Sequence, residues 1–234
     1  MLDFDEDRYL GDKTDFIDAY FDKWRRDIER AETLLRDDRF VLEGYLVLVC
    51  YLGALASQRF PLLKDNEAYC QFTLEYSGKR SFYEQIDLLF LYQWPRSKLR
   101  DHGDYTSFNE YSDLVQTIGP KFGTENDLSE SNRYVNASMI ISEAKSKIPH
   151  LDETNLEEKL KLFSLVQLLY RYGRCDAVHN AIYPLLNEGV NIDGDRIIRD
   201  NSALTRDIIF STVKHANDTL WQECKSLKKW PHEI

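Results

Sequence analysis

Apolar residues recur at intervals of three and four along most of this chain, the spacing of helices that bury one face. Ile17, Tyr20, Phe21, Trp24, Ile28, Ala31 and Leu35 form one such stripe, which predicts a first helix capped by Thr14 and running to about Arg36. The next segment, Phe40 to about Gln58, is apolar nearly all round, as a helix at the centre of a bundle is, until Pro61 blocks it. Shorter helices are predicted over Asn66 to Tyr76 and Ser81 to Gln93, separated by Ser77-Gly78 and closed by Pro95. From Arg100 to Asn126 the periodicity fades, and Gly103, Gly119-Pro120 and Gly123 punctuate a connection with at most one short helix. A stripe resumes at Tyr134, Ala137, Ile141, Ala144 and Ile148, ended by Pro149. Thr154-Asn155-Leu156-Glu157 then has the form of a capping box and opens an apolar helix through Tyr172. Helix resumes from about Cys175 to Asn187, a turn-rich loop covers Asn187 to Asp195, and a last long helix runs from about Ala203 to Lys229.

These elements predict an all-α fold, a helical bundle. Residues 1–100 supply N-terminal helices packed on the same core, 101–128 an irregular connection, and 129–234 a helical core. Composition agrees: 12 Phe, 14 Tyr and 4 Trp against only 10 Gly and 6 Pro favour long helices over a turn-rich sandwich or barrel.

The unbroken apolar run Tyr45 to Ala56 is about 12 residues, short of the roughly 20 that a membrane-spanning helix needs, so a core helix and no membrane partner are expected. The N-terminus, Met1-Leu2-Asp3-Phe4-Asp5-Glu6-Asp7, is acidic where an export signal is basic and apolar, which points to the cytoplasm. Cys50, Cys70, Cys175 and Cys224 form no C-x-x-C pair and no zinc-finger spacing, and in that compartment they are expected as reduced thiols. Net charge is −10, distributed as −6 over 1–38, +2 over 39–100, −8 over 101–158 and +2 over 159–234, so an anion is expected on the second or fourth segment.

There is no phosphate loop, no dinucleotide fingerprint, no H-E-x-x-H and no nucleophile elbow, and no His, Cys, Asp or Glu cluster has ligand spacing; no metal and no cofactor are expected. Asp193-Gly194-Asp195 lacks the other ligands of a calcium loop and reads as a turn. His102, His150, His215 and His232 read as structural or solvated.

His179 has a different setting. In Leu168-Leu169-Tyr170-Arg171-Tyr172-Gly173-Arg174-Cys175-Asp176-Ala177-Val178-His179-Asn180, Arg174 stands five residues before it at the end of an apolar helix. The segment resembles the R-x-x-x-x-H signature of HEPN domains, with a Leu-Tyr-x-x-x-Arg run before the arginine, an apolar residue before the histidine and an amphipathic helix afterwards. The resemblance covers about residues 129 to 230. It departs at Cys175, where the family usually has Asn, Asp or His; Asp176 follows one position later. It implies an HEPN-like helical core and a metal-independent endoribonuclease that works as a homodimer with facing motifs. RNA would be the substrate, commonly in bacterial defence or toxin–antitoxin systems, with an antitoxin or regulatory protein as a further partner. It equally accommodates a catalytically silent module that dimerises or binds a nucleotide or a protein, and the net charge of −10 favours that alternative, because RNA affinity relies on neutralising phosphates.

The chemistry of the pair fits RNA cleavage by the neighbouring 2′-hydroxyl. An imidazole, whose ordinary pKa is about 6.5, takes and returns protons at neutral pH, and a guanidinium holds two phosphate oxygens. Arg174 and His179 are therefore the expected catalytic residues, with Asp176, Asn180 and Arg171 supporting them or contacting RNA. On a regular α-helix a five-residue offset rotates by about 140°, so the two side chains would not share a face. Either Gly173 breaks the helix or the site is completed at an interface.

Overall fold

The computed structural model describes residues 12–96, 103–129, 131–175, 178–179 and 204–234. The fold is all-α, with a two-stranded sheet as its only β-element among the described residues. The chain divides into two compact units, one made of residues 1–78 and 209–234, the other of 79–208. The expected division at 100 and 129 is thereby revised: the last helix, predicted within a core of 129–234, belongs from Ile209 onward with the N-terminal helices.

In the first unit α1 (Lys13–Arg36) buries Ile17, Phe21, Ile28, Ala31 and Leu35 on one stripe. Its cap is Asp12, whose carboxylate accepts the Thr14 amide at 3.2 Å, and not Thr14 as expected. α2 (Val41–Arg59) lies between α1 and α3 (Asp65–Tyr76). A Cβ at Gly44 would stand 2.4 Å from the Leu35 amide nitrogen, so the backbones of α1 and α2 meet there as only glycine permits.

By length and composition α2 is apolar enough to cross a membrane, with mean hydropathy 1.5 over 18 residues and 44% of that window buried. Its extent matches the helix expected from Phe40 to about Gln58, which includes the apolar run of about 12 residues. Leu48, Val49, Leu52, Leu55 and Ala56 form its buried side.

The C-terminal helix, Arg206–Leu227, joins this unit through Ile209, Val213, Ala216, Leu220 and Cys224. Trp221 Nε1 donates to Asp18 Oδ1 at 2.7 Å and Lys225 Nζ to Asp18 Oδ2 at 2.8 Å, fastening it to α1. These bonds hold the Asp18 carboxyl below its ordinary range, Lys225 being the larger cause. The Tyr76 hydroxyl donates to Glu223 and accepts from Arg59 Nε at 2.6 Å; burial, then Glu223, push its pKa up to about 12.

In the second unit the predicted helix Ser81 to Gln93 is interrupted. α4 (Arg80–Tyr83) gives way to β1 (Ile86–Asp87), followed directly by α5 (Leu88–Gln93). A 3₁₀ turn, Trp94–Arg96, ends this run. The stretch expected to be irregular holds a 3₁₀-helix at Gly103–Tyr111 and α6 (Leu114–Phe122), which bury Tyr105, Phe108, Leu114 and Ile118. Tyr134 and Val135, expected within a helix, form β2, and α7 (Ala137–Lys145) starts beyond them. α8 (Glu153–Leu160) is capped by Asp152, which accepts the Asn155 amide at 3.0 Å, in place of the capping box expected at Thr154.

The interruption at β1 has a visible cause. Ile86 pairs with Val135 and Asp87 with Tyr134, antiparallel. Asp87 is fully buried and takes a two-pronged hydrogen bond from Arg133, Nε at 2.8 Å and Nη2 at 2.7 Å. Its Oδ1 also accepts the Leu89 and Phe90 amides, so one carboxylate ends the strand, starts α5 and neutralises a buried guanidinium.

Candidate functional site

The motif lies in the second unit, at the end of the segment predicted as one helix from Thr154 through Tyr172. That segment is broken three ways. After α8 comes a 3₁₀ turn, Lys161–Phe163, and then Ser164 takes an extended conformation and bridges to Ile86. The Leu165 amide donates to the Gln85 carbonyl at 2.9 Å, which ties the start of α9 (Leu165–Leu168) to the strand region. From Leu169 to Cys175 the chain then winds as a π-helix.

Aromatic packing fixes this segment. Phe163 is fully buried and meets Phe90, Trp94, Tyr105 and Phe108 at ring-centroid distances of 5.2, 6.1, 5.7 and 4.7 Å. Each such pair contributes about 0.5–1.5 kcal/mol beyond area burial. Tyr172, in the π-helix, adds its ring to Phe90 edge-on at 5.8 Å.

The π-winding carries the motif arginine and ends one residue after it. An i→i+5 ladder turns through roughly 80° per residue, so a five-residue step returns to within about 40° of its start, against about 140° on an α-helix. Within the segment the arrangement follows: the Arg174 guanidinium lies over the Tyr170 ring, 5.6 Å from its centroid. Gly173 is buried inside the π-helix and does not break it, which removes one of the two expected alternatives.

Arg174 is half-buried and Cys175 likewise, while Val178 and His179 are helical and exposed. Asp176 and Asn180 lie outside the described residues, as do His102, the loop at Asn187 to Asp195 and most of the segment expected as helix from Cys175 to Asn187. Arg171 is half-buried, its guanidinium 4.6 Å from the centroid of Tyr105. It therefore takes no acidic partner among the described residues, whereas Arg80, Arg96 and Arg133 of the same unit hold Glu84, Glu125 and Asp87.

Tyr105 is the residue that sequence reading missed, because it sits in a stretch without periodicity. Tyr170 is the tyrosine of the Leu-Tyr-x-x-x-Arg run, at four-residue spacing from Arg174.

Among the described residues no three His, Cys, Asp or Glu gather where a metal ion could be held. All four cysteines are free thiols. Cys224 is buried and its pKa is pushed up to about 12, foremost by that burial, which leaves it inert as a nucleophile at neutral pH. His150, His215 and His232 are exposed. No family model, no curated protein and no solved structure matches the chain.

Proposed function

We propose that this chain is a HEPN-type, metal-independent endoribonuclease that acts in the cytoplasm as a homodimer. The observation that supports the reading is the setting of the motif arginine and histidine. Arg174 is half-buried with its guanidinium over the Tyr170 ring, at the end of the segment that packs into the aromatic core, and His179 is exposed five residues on.

In the reaction the 2′-oxygen of RNA bonds to the adjacent phosphorus as its proton passes to a base. The bond from phosphorus to the 5′-oxygen breaks as that oxygen takes a proton, leaving a 2′,3′-cyclic phosphate and a 5′-hydroxyl. His179, exposed, moves the proton, and Arg174 holds the non-bridging oxygens, whose charge grows in the transition state. Asp176 and Asn180 orient the imidazole or contact phosphate, and Arg171 adds attraction. A restraining antitoxin or regulatory protein fits an enzyme of this class in bacterial defence.

Purified chain is incubated with single-stranded RNA in excess EDTA. Cleavage is expected to persist and to leave cyclic-phosphate ends. His179→Ala should slow it by about 10² to 10⁴, and Arg174→Ala by about 10² to 10³. His215→Ala, on an exposed position of the other unit, should leave the rate unchanged. Activity surviving in both motif variants, or lost to chelation and restored by magnesium, overturns the assignment. The net charge of −10 favours a second reading, a silent interaction module, which gains if the wild type cleaves no RNA yet dimerises with its motifs face to face.

A further inference from the structure

Arg171 is the described arginine of its unit whose charge meets an aromatic ring and nothing else. Its guanidinium lies 4.6 Å from the Tyr105 centroid, and the side chain is half-buried. Its side chain is partly exposed, so guanidinium N–H groups can meet an anion from solvent.

The ring beneath it is rigid. Tyr105 is 1% exposed, its hydroxyl donates to the Leu162 carbonyl at 2.9 Å, and its faces and edges pack against Phe90 at 5.8 Å and Phe163 at 5.7 Å. Stacking on such a ring orients the planar guanidinium while leaving its N–H groups for a ligand with two oxygens. The motif arginine, three residues on, is anchored over a different ring, Tyr170. A three-residue step at π pitch turns about 240°, so the two side chains leave the helix in different directions, each toward its own ring.

We infer that Arg171, held in place by Tyr105, binds a second backbone phosphate of a single-stranded RNA, away from the bond that Arg174 and His179 act on. This rests on the ribonuclease reading for the identity of the ligand. It makes the substrate an oligonucleotide and not a dinucleotide, and Tyr105 a positioning residue.

The test separates binding from cleavage. A fluorescein-labelled 2′-O-methyl RNA octamer, which has no 2′-hydroxyl to attack, is titrated with the full chain across potassium chloride concentrations. Loss of one phosphate contact should lower the slope of log affinity against log salt by about 0.7 in Arg171→Ala. Affinity should fall about tenfold at low salt, the size expected of one charge-assisted contact. Arg171→Lys should keep the slope and lose part of the affinity. Tyr105→Leu should behave as Arg171→Ala, provided its melting curve shows a folded chain. On cleavable RNA, Arg171→Ala should raise KM with kcat retained.

If the octamer binds with this dependence on Arg171 while the wild type cleaves nothing, the phosphate contact stands and the ribonuclease reading falls. An octamer that does not bind the wild type overturns the inference. So does an Arg171→Ala variant with unchanged slope and affinity, or one that lowers kcat at constant KM.

Discussion

Replacing Asp87 removes several interactions at one stroke. Its carboxylate accepts two hydrogen bonds from Arg133, at 2.8 and 2.7 Å, and two from the amides that open α5, at 3.0 and 3.3 Å. Side-chain exposure is 6% for Arg133 and 0% for Asp87, so Asp87→Ala takes the paired hydrogen bonds from the guanidinium inside the fold. Breaking a buried pair from one side costs about 3–5 kcal/mol, and loss of a helix cap adds about 1 kcal/mol. Asp87→Ala is therefore expected to lower the free energy of unfolding by about 4–6 kcal/mol, a large part of the roughly 5–15 kcal/mol that a folded domain has. Urea denaturation followed by circular dichroism measures it. The double variant Asp87→Leu with Arg133→Met should recover most of the loss, because both charges of the buried pair are replaced by apolar side chains. A cost for Asp87→Ala below about 1 kcal/mol, the centre of the distribution for ordinary substitutions, refutes the reasoning. So does a double variant less stable than the single one.

Asn217 is fully buried on the C-terminal helix and neither polar atom of its side-chain amide has a hydrogen-bond partner, so Asn217→Leu, of similar volume, should raise stability by about 1–3 kcal/mol in the same assay; a loss would mean that the amide is satisfied. Acid sensitivity follows from Asp18, whose pKa is lowered from its ordinary 3.8 by Lys225 and Trp221. A carboxyl held low contributes stability that is complete above about pH 4 and is lost as the pH falls through the lowered folded value. Asp18→Asn should flatten that part of the urea-midpoint profile between pH 6 and 2, and an unchanged acid slope in the variant would remove Asp18 from the account.

Helix class, the stripe of α1 and the extent of α2 and α3 were legible because their apolar positions repeat at the period of the element that buries them. A period does not show where a helix stops for the sake of a distant partner. Ser81 to Gln93 has helical spacing throughout, yet Asp87 is drawn into a strand by Arg133, which lies 46 residues away. Ser164 sits inside an apolar run, and its pairing with Ile86 breaks that run. Tyr105 and Phe108 carried no signal, since a 3₁₀-helix has neither of the periods that pattern reading tests.

By itself the sequence determined the all-α class and the residue types of the motif, since both depend on local spacing and on side-chain chemistry. The tertiary structure decided the grouping of the C-terminal helix with α1 to α3, through Asp18, Trp221 and Glu223, because such contacts join residues about 150 to 200 positions apart, which no local window spans. It also decided the pitch of the motif segment. The residue types of a stretch do not show how many residues it takes per turn. That number is set at Leu169–Cys175 where the segment packs Leu169 and Tyr172 into the aromatic core, an outcome of three-dimensional packing that the order of residues expresses only once the chain has folded.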